Sequence, residues 1–220
     1  MRKANIIRLS ATENNAAALE AFLVAGGELV EKAEPATMRW HALTREDRPD
    51  ELAIFDIFPN QAGRQAHFDG PVATALSERA GELVQGGWDG VLNGVANLVT
   101  LAEHDPELGG RTATKASYIT LRAAPGKDAE LRAFLVGGRD QVAATEPGTL
   151  FWTALESEDE PGHFAIFDLF ADTSGRDAHF GGVVAKALAE QAAALVVGGW
   201  DDGVLANVTH FDVRTSVTRS

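Results

Sequence analysis

Two rhythms of apolar and polar residues alternate along the chain. Residues 4–9 (ANIIRL) form a short, β-branched run that predicts a strand. Residues 12–32 follow with Leu19, Phe22, Leu23, Leu29 and Val30 at helical spacing, which predicts a helix capped by Thr12, though Gly26 and Gly27 weaken its middle. Residues 37–43 and 52–58 read as two further strands on either side of the polar stretch TREDRPDE. A short helix at 61–68 then breaks at Asp69, Gly70 and Pro71. A longer helix runs on to about Val84, with Pro71 suited to its first turn. Residues 97–101 read as a fourth strand.

The whole pattern then recurs. Residues 53–76 match residues 165–188 at 15 of 24 positions without a gap, at an offset of 112. The same offset pairs Ile7 with Ile119, Phe22 with Phe134, Pro35 with Pro147, Trp40 with Trp152, and GGWD at Gly86 with GGWD at Gly198. A period this long marks a duplicated domain, since solenoid units run roughly 20–50 residues. Residues 151–155 and 164–170 are the second copy's middle strands. The expected organisation is repeat 1 over 1–103, a polar linker over 104–115 and repeat 2 over 116–220. Each copy has the order β-α-β-β-α-β, a ferredoxin-like unit of the α+β class. Its two helices cover one face of its sheet, so the other face must be buried elsewhere, and two sheets in one chain can bury theirs together.

Composition narrows the chemistry. A net charge of −13 repels phosphate backbones and anionic membrane surfaces, so neither nucleic acid nor membrane is an expected partner. Without cysteine there is no disulfide, no thiolate nucleophile and no Cys-ligated metal. No run reaches the length of a membrane span, no signal-peptide core stands at the N-terminus, and a cytoplasmic protein is expected.

One position contradicts its surroundings in each copy. In residues 52–58, Leu52, Ile54 and Phe58 share a face with Asp56, and Asp168 repeats this at 164–170. A carboxylate there needs a partner. The nearest in sequence are Arg64 and Arg176, with His67 and His179 three residues further on the same helical face. One reading is a salt bridge that pins the strand-to-helix turn; the other is a carboxylate that orients the histidine or meets a polar ligand. An imidazole so placed could accept a phenolic proton or could simply brace the break at Gly70 and Gly182. Trp40 and Trp152 are either an aromatic ligand's wall or core filling. Phe68 and Phe180 belong to a helical core series, and Trp88 and Trp200 either cover a pocket or staple a turn. No metal-ligand spacing and no phosphate-cradling loop occurs.

The repeated stretch AIFDxFxxxxGRxAHFxGxVAxAL resembles the antibiotic biosynthesis monooxygenase (ABM) domain family of the dimeric α/β barrel superfamily, and both copies match. The resemblance implies an intramolecular pseudo-dimer in place of the family's usual homodimer, with a further homodimer left open. It also implies a cofactor-free monooxygenase that oxidises an aromatic or quinol-type molecule with O2 in a pocket between sheet and helices. In that reading His67 or His179 is the base, Asp56, Arg64, Asp168 and Arg176 are polar support, and Trp40, Trp152, Phe68, Phe180, Trp88 and Trp200 line the substrate. The alternative is a non-catalytic small-molecule-binding or structural barrel. Because superfamily relatives bind or degrade haem, haem binding is a lesser alternative.

Overall fold

The computed structural model describes residues 1–106 and 108–219. Glu107, within the expected linker, and Ser220 lie outside the described residues. The elements are β1 (Lys3–Ser10), α1 (Ala16–Ala33), β2 (Arg39–Arg45), β3 (Glu51–Phe58), α2 (Gln61–Phe68), α3 (Pro71–Leu83), α4 (Gly87–Asn93) and β4 (Val95–His104), followed by β5 (Lys115–Arg122), α5 (Asp128–Thr145), β6 (Thr149–Ser157), β7 (His163–Phe170), α6 (Thr173–Phe180), α7 (Val183–Leu195) and β8 (Val208–Thr218).

The chain forms two compact units: Met1–Val99 together with the residues from Phe211 on, and Thr100–His210. In the first unit β3 pairs antiparallel with β1 and β2, β1 also pairs with β4, and β2 with the end of β8. In the second unit β7 pairs antiparallel with β5 and β6. The hydrogen-bonded order β1-β3-β2-β8-β5-β7-β6-β4 closes on itself. This is the α+β fold expected from the duplicated pattern, with the strand circuit of a dimeric α/β barrel made within one chain. The long strands β4 and β8 each begin in one unit and end in the other, well past the single strand predicted at 97–101.

Local chemistry explains most elements and corrects two expectations. The first helix starts at Ala16, not at Thr12, because Asn14 adopts φ +64 and turns the chain. The Thr12 hydroxyl instead donates to the Glu82 carbonyl, 2.5 Å away. Gly26 and Gly27 do not break α1: the Trp40 indole lies over them, and a Cβ at Gly26 or Gly27 would come within 3.4 or 3.3 Å of that ring. Helix–sheet packing thus requires small residues where propensity disfavours them. The short helix α4, not expected from the sequence, begins at Gly87 directly after Gly86, both at positive φ.

In each unit the helices and one sheet face enclose an apolar core. In the first it contains Leu19, Leu23, Trp40, Ile54 and Leu76, and in the second Leu131, Leu135, Trp152, Ile166 and Leu188. The two units differ after the long helix. The second carries one extra residue, Asp202, so that GVL at Gly90 returns at Gly203, an offset of 113. There α4 is replaced by turns and a 3-10 segment, Leu205–Asn207, and β8 begins 113 positions after β4. His210 therefore occupies the place of Asn97.

Candidate functional site

Asp56 and Asp168 face the helix layer from β3 and β7, opposite Asn5 and Ser117 on the neighbouring strands and beside Trp40 and Trp152. Both are fully buried. Helix α2 is set against the end of β3 by its cap, where the Asn60 side chain accepts the Gly63 N–H at 3.0 Å; Asp172 does the same for Gly175 at 2.9 Å. This places His67 and His179, in the last turns of α2 and α6, over the two carboxylates. His67 Nε2 lies 3.5 Å from Asp56 Oδ2, and His179 Nε2 lies 3.6 Å from Asp168 Oδ2.

The opposite ring nitrogen meets a residue that the sequence reading did not consider. His67 Nδ1 donates to Glu34 Oε2, and His179 Nδ1 to Glu146 Oε2. Each glutamate ends the first helix of its unit and is itself buried. Glu34 also accepts from the Thr37 hydroxyl at 3.2 Å and from the Val72 N–H of α3 at 3.3 Å, and Glu146 accepts from the Thr149 hydroxyl at 3.3 Å. One signal was available: Glu34-Pro35 and Glu146-Pro147 recur at the offset of 112, three residues before Thr37 and Thr149. The site in each unit is therefore an imidazole between two carboxylates.

Arg64 is buried and gives Nη2 to the carbonyls of Ala4 and Leu98 at 3.1 and 2.7 Å, tying α2 to β1 and β4. Its charge is close enough to act on Asp56. Arg176 is buried at the matching position. Trp40 and Trp152 are fully enclosed, and among the described residues neither indole N–H has a hydrogen-bond partner. Phe68 and Phe180 meet the histidines edge-on, at 5.8 and 5.5 Å between ring centroids. Trp88 and Trp200 pack, half-buried, against the two cores. In the second unit a cavity of about 30 Å³ is lined by Trp152, His179, Phe180, Val184, Trp200 and Leu205, among others. That is room for about two water molecules. Among the described residues, no cluster of His, Asp and Glu could hold a metal ion, and no helix is long and apolar enough to cross a membrane.

Electrostatics couple these groups. Burial pushes the Asp56 carboxyl up to about 7, against the pull of His67, Arg64 and the Asn5 N–H. Burial does the same to Asp168, also to about 7, with His179 opposing and Glu146 reinforcing. For His67 burial disfavours the cation, but Glu34 and Asp56 outweigh it and raise the pKa; at His179, Asp168 and Glu146 do likewise. His41, buried on the other face of β2, is lowered to about 3 by burial and Arg39.

A pH effect on stability follows. The folded aspartates hold their protons to about pH 7, whereas unfolded ones release them near the ordinary 3.8. The native state therefore binds more protons across this window, and these two groups make stability fall as pH rises from about 4 to about 7. The raised histidines continue the fall above their unfolded value of 6.5; His41 opposes it between about 3 and 6.5. Asp56→Asn is expected to flatten the profile. Urea midpoints at pH 5 and pH 8 should differ less in the variant than in the wild type, and an unchanged difference would show that Asp56 is ionised throughout.

Fold and sequence point to one class. Residues 116–191, in the second repeat, match the antibiotic biosynthesis monooxygenase family. A candidate monooxygenase from Lactobacillus acidophilus superposes with a TM-score of 0.80 at 14% identity, covering 99% of this chain and 96% of that one. Another from Fusobacterium nucleatum gives 0.81 at 13% identity, covering 100% and 95%, and an anthrone oxidase-like protein gives 0.62 at 13% identity, covering 98% and 92%. At these identities the likeness is one of fold, and the fold is the dimeric α/β barrel. No protein of curated function matches the sequence. The second repeat thus carries an antibiotic biosynthesis monooxygenase domain over residues 116–191, and the first repeat returns its pattern at an offset of 112.

Proposed function

We propose that the protein is a cofactor-free monooxygenase that oxidises an aromatic or quinol-type small molecule with O2. The observation that supports this best is the second unit's cavity, where an ionisable histidine meets three aromatic walls, Trp152, Phe180 and Trp200. An electron-rich phenol becomes reactive toward O2 once its hydroxyl proton is removed. Overall, a phenol and O2 give a quinone and water: one O–H and one ring C–H are lost, one oxygen atom stays on the ring and the other leaves as water. The chain's contribution is to accept the proton, exclude bulk water and hold the ring.

Both nitrogens of each histidine face carboxylates. In this reading the proton acceptor is accordingly the His–Asp couple, with Asp56 or Asp168 as the basic atom, His67 or His179 as the group that shares the proton, and Glu34 or Glu146 as the support behind the ring. Arg64 and Arg176 hold the helix that carries the histidine. The test is oxygen consumption with a panel of quinols. The His67→Ala/His179→Ala double variant should lose about a hundredfold or more in turnover. Equal turnover in variant and wild type would remove the histidines from the chemistry and favour a barrel in which the triads serve only the fold.

A further inference from the structure

We propose that the second unit is the ligand-binding half and that Asp168 and His179 together take the hydroxyl of a phenolic ligand whose ring enters beside Trp152, Phe180 and Trp200. This rests on the functional reading above and narrows it to one unit and one pair of side chains.

The repeat is close to symmetrical, so the departures from symmetry carry the argument. Asp56 Oδ1 accepts the Asn5 N–H at 3.1 Å and only its Oδ2 lacks a hydrogen-bond partner, whereas among the described residues neither oxygen of Asp168 has one, although the residue is wholly buried. A buried carboxylate with two unused oxygens is costly to maintain and rare. His179 Nε2 stands 3.6 Å from Oδ2, beyond hydrogen-bonding reach, while its Nδ1 is committed to Glu146. A hydroxyl lying between them would donate to the carboxylate and accept from the Nε2–H, satisfying both. His179 also lines the apolar cavity, so such a hydroxyl would have its ring on the cavity side.

Two replacements accompany this difference. In the first unit Asn5 Nδ2 bonds to Asn97 Oδ1 at 2.8 Å and also reaches the Ala96 carbonyl, and the backbone N–H of the same Asn5 serves Asp56. In the second unit the shorter Ser117 stands there, bonded to His210 Nδ1 at 3.0 Å, and the His210 ring meets Phe180 edge-on at 5.3 Å. Phe180 is thus fixed from two sides as a wall. The extra Asp202 also places Trp200 on a turn, where the N–H groups of Val204 and Leu205 both bond to the Trp200 carbonyl, whereas Trp88 sits in the helix α4. A turn gives way at lower cost than a helix, and a cavity of about 30 Å³ must widen to hold a ring.

The test uses the full chain and two probes that differ at one group, 2-naphthol and 2-methoxynaphthalene. Asp168→Asn should weaken naphthol binding about tenfold or more and leave the methoxy compound within about twofold, because only the hydroxyl meets the carboxylate. Asp56→Asn should weaken naphthol binding clearly less than Asp168→Asn does. The exchange Ser117→Asn/His210→Asn, which gives the second unit the first unit's side chains and leaves Asp168 in place, should also weaken naphthol binding and serves if Asp168→Asn does not fold. Equal losses at the two aspartates, a loss at Asp56 alone, no naphthol binding by the wild type, or unchanged naphthol affinity in the folded exchange variant overturns the assignment. Naphthol binding that depends on Asp168 in a protein that consumes no O2 with any quinol upholds this site and overturns the monooxygenase reading. Quinol turnover that survives Asp168→Asn and is lost with Asp56→Asn does the reverse.

Discussion

Truncating Glu34 to alanine is expected to destabilise the first unit by about 3–5 kcal/mol, the range for removing one partner of a buried ion pair. Glu34 is only 6% exposed and its carboxylate has three dependents: the His67 ring, the Thr37 hydroxyl and the Val72 N–H at the start of α3. It therefore joins the end of α1, the end of α2 and the beginning of α3, and truncation strands a donor on each of the last two. The surroundings are already close-packed, since a Cβ at Gly70 would come within 2.7 Å of Glu34 Oε1. Glu34→Gln keeps the shape and an acceptor and should cost clearly less. Urea unfolding of the two variants decides the point: equal losses would mean that packing, not charge, is what Glu34 supplies. Glu146→Ala is expected to behave in the same way in the second unit, where Glu146 holds His179 and Thr149.

Trp152→Ala is expected to cost about 3–5 kcal/mol, as for large-to-small changes in a core. The ring is 1% exposed and lies across Gly138 of α5, where a Cβ would approach it within 3.3 Å, so its removal leaves a hole that the glycine cannot fill. That hole would be continuous with the cavity beside His179. Trp152→Phe should be much milder, because it retains an aromatic ring and removes an indole N–H that has no partner. Thermal unfolding separates the cases: similar losses for alanine and phenylalanine would show that the indole's outer ring, against Gly138, carries the packing.

The duplication made much of this fold legible before any coordinates. A gapless match centred on a strand and two helices places the same elements twice. The apolar strands with a single aspartate announced both the buried face and the anomaly on it. Thr12 misled because Asn14 takes a left-handed turn that no periodicity records, and α4 escaped because GGWDG reads equally well as a turn. Glu34 and Glu146 lie 33 residues before the histidines they hold, in segments that read as helix ends, and sequence logic looked for the partner of Asp56 among its near neighbours. The one-residue shift at Asp202 was present in the sequence, but its consequence, His210 in the place of Asn97, appears only when β8 is aligned with β4.

The sequence by itself determined the two-copy organisation, the order of strands and helices apart from α4, and the positions of the buried Asp, Arg, His and Trp, because periodicity and self-similarity are local properties of a chain. Tertiary structure alone decided what those residues meet: the glutamate behind each imidazole, the glycines beneath each indole, and an Asp56 that accepts a backbone N–H where Asp168, among the described residues, accepts no hydrogen bond. The state of a buried charge depends on the groups within a few ångströms of it. Those groups come from segments tens of residues apart, brought together only when helices pack on a paired sheet.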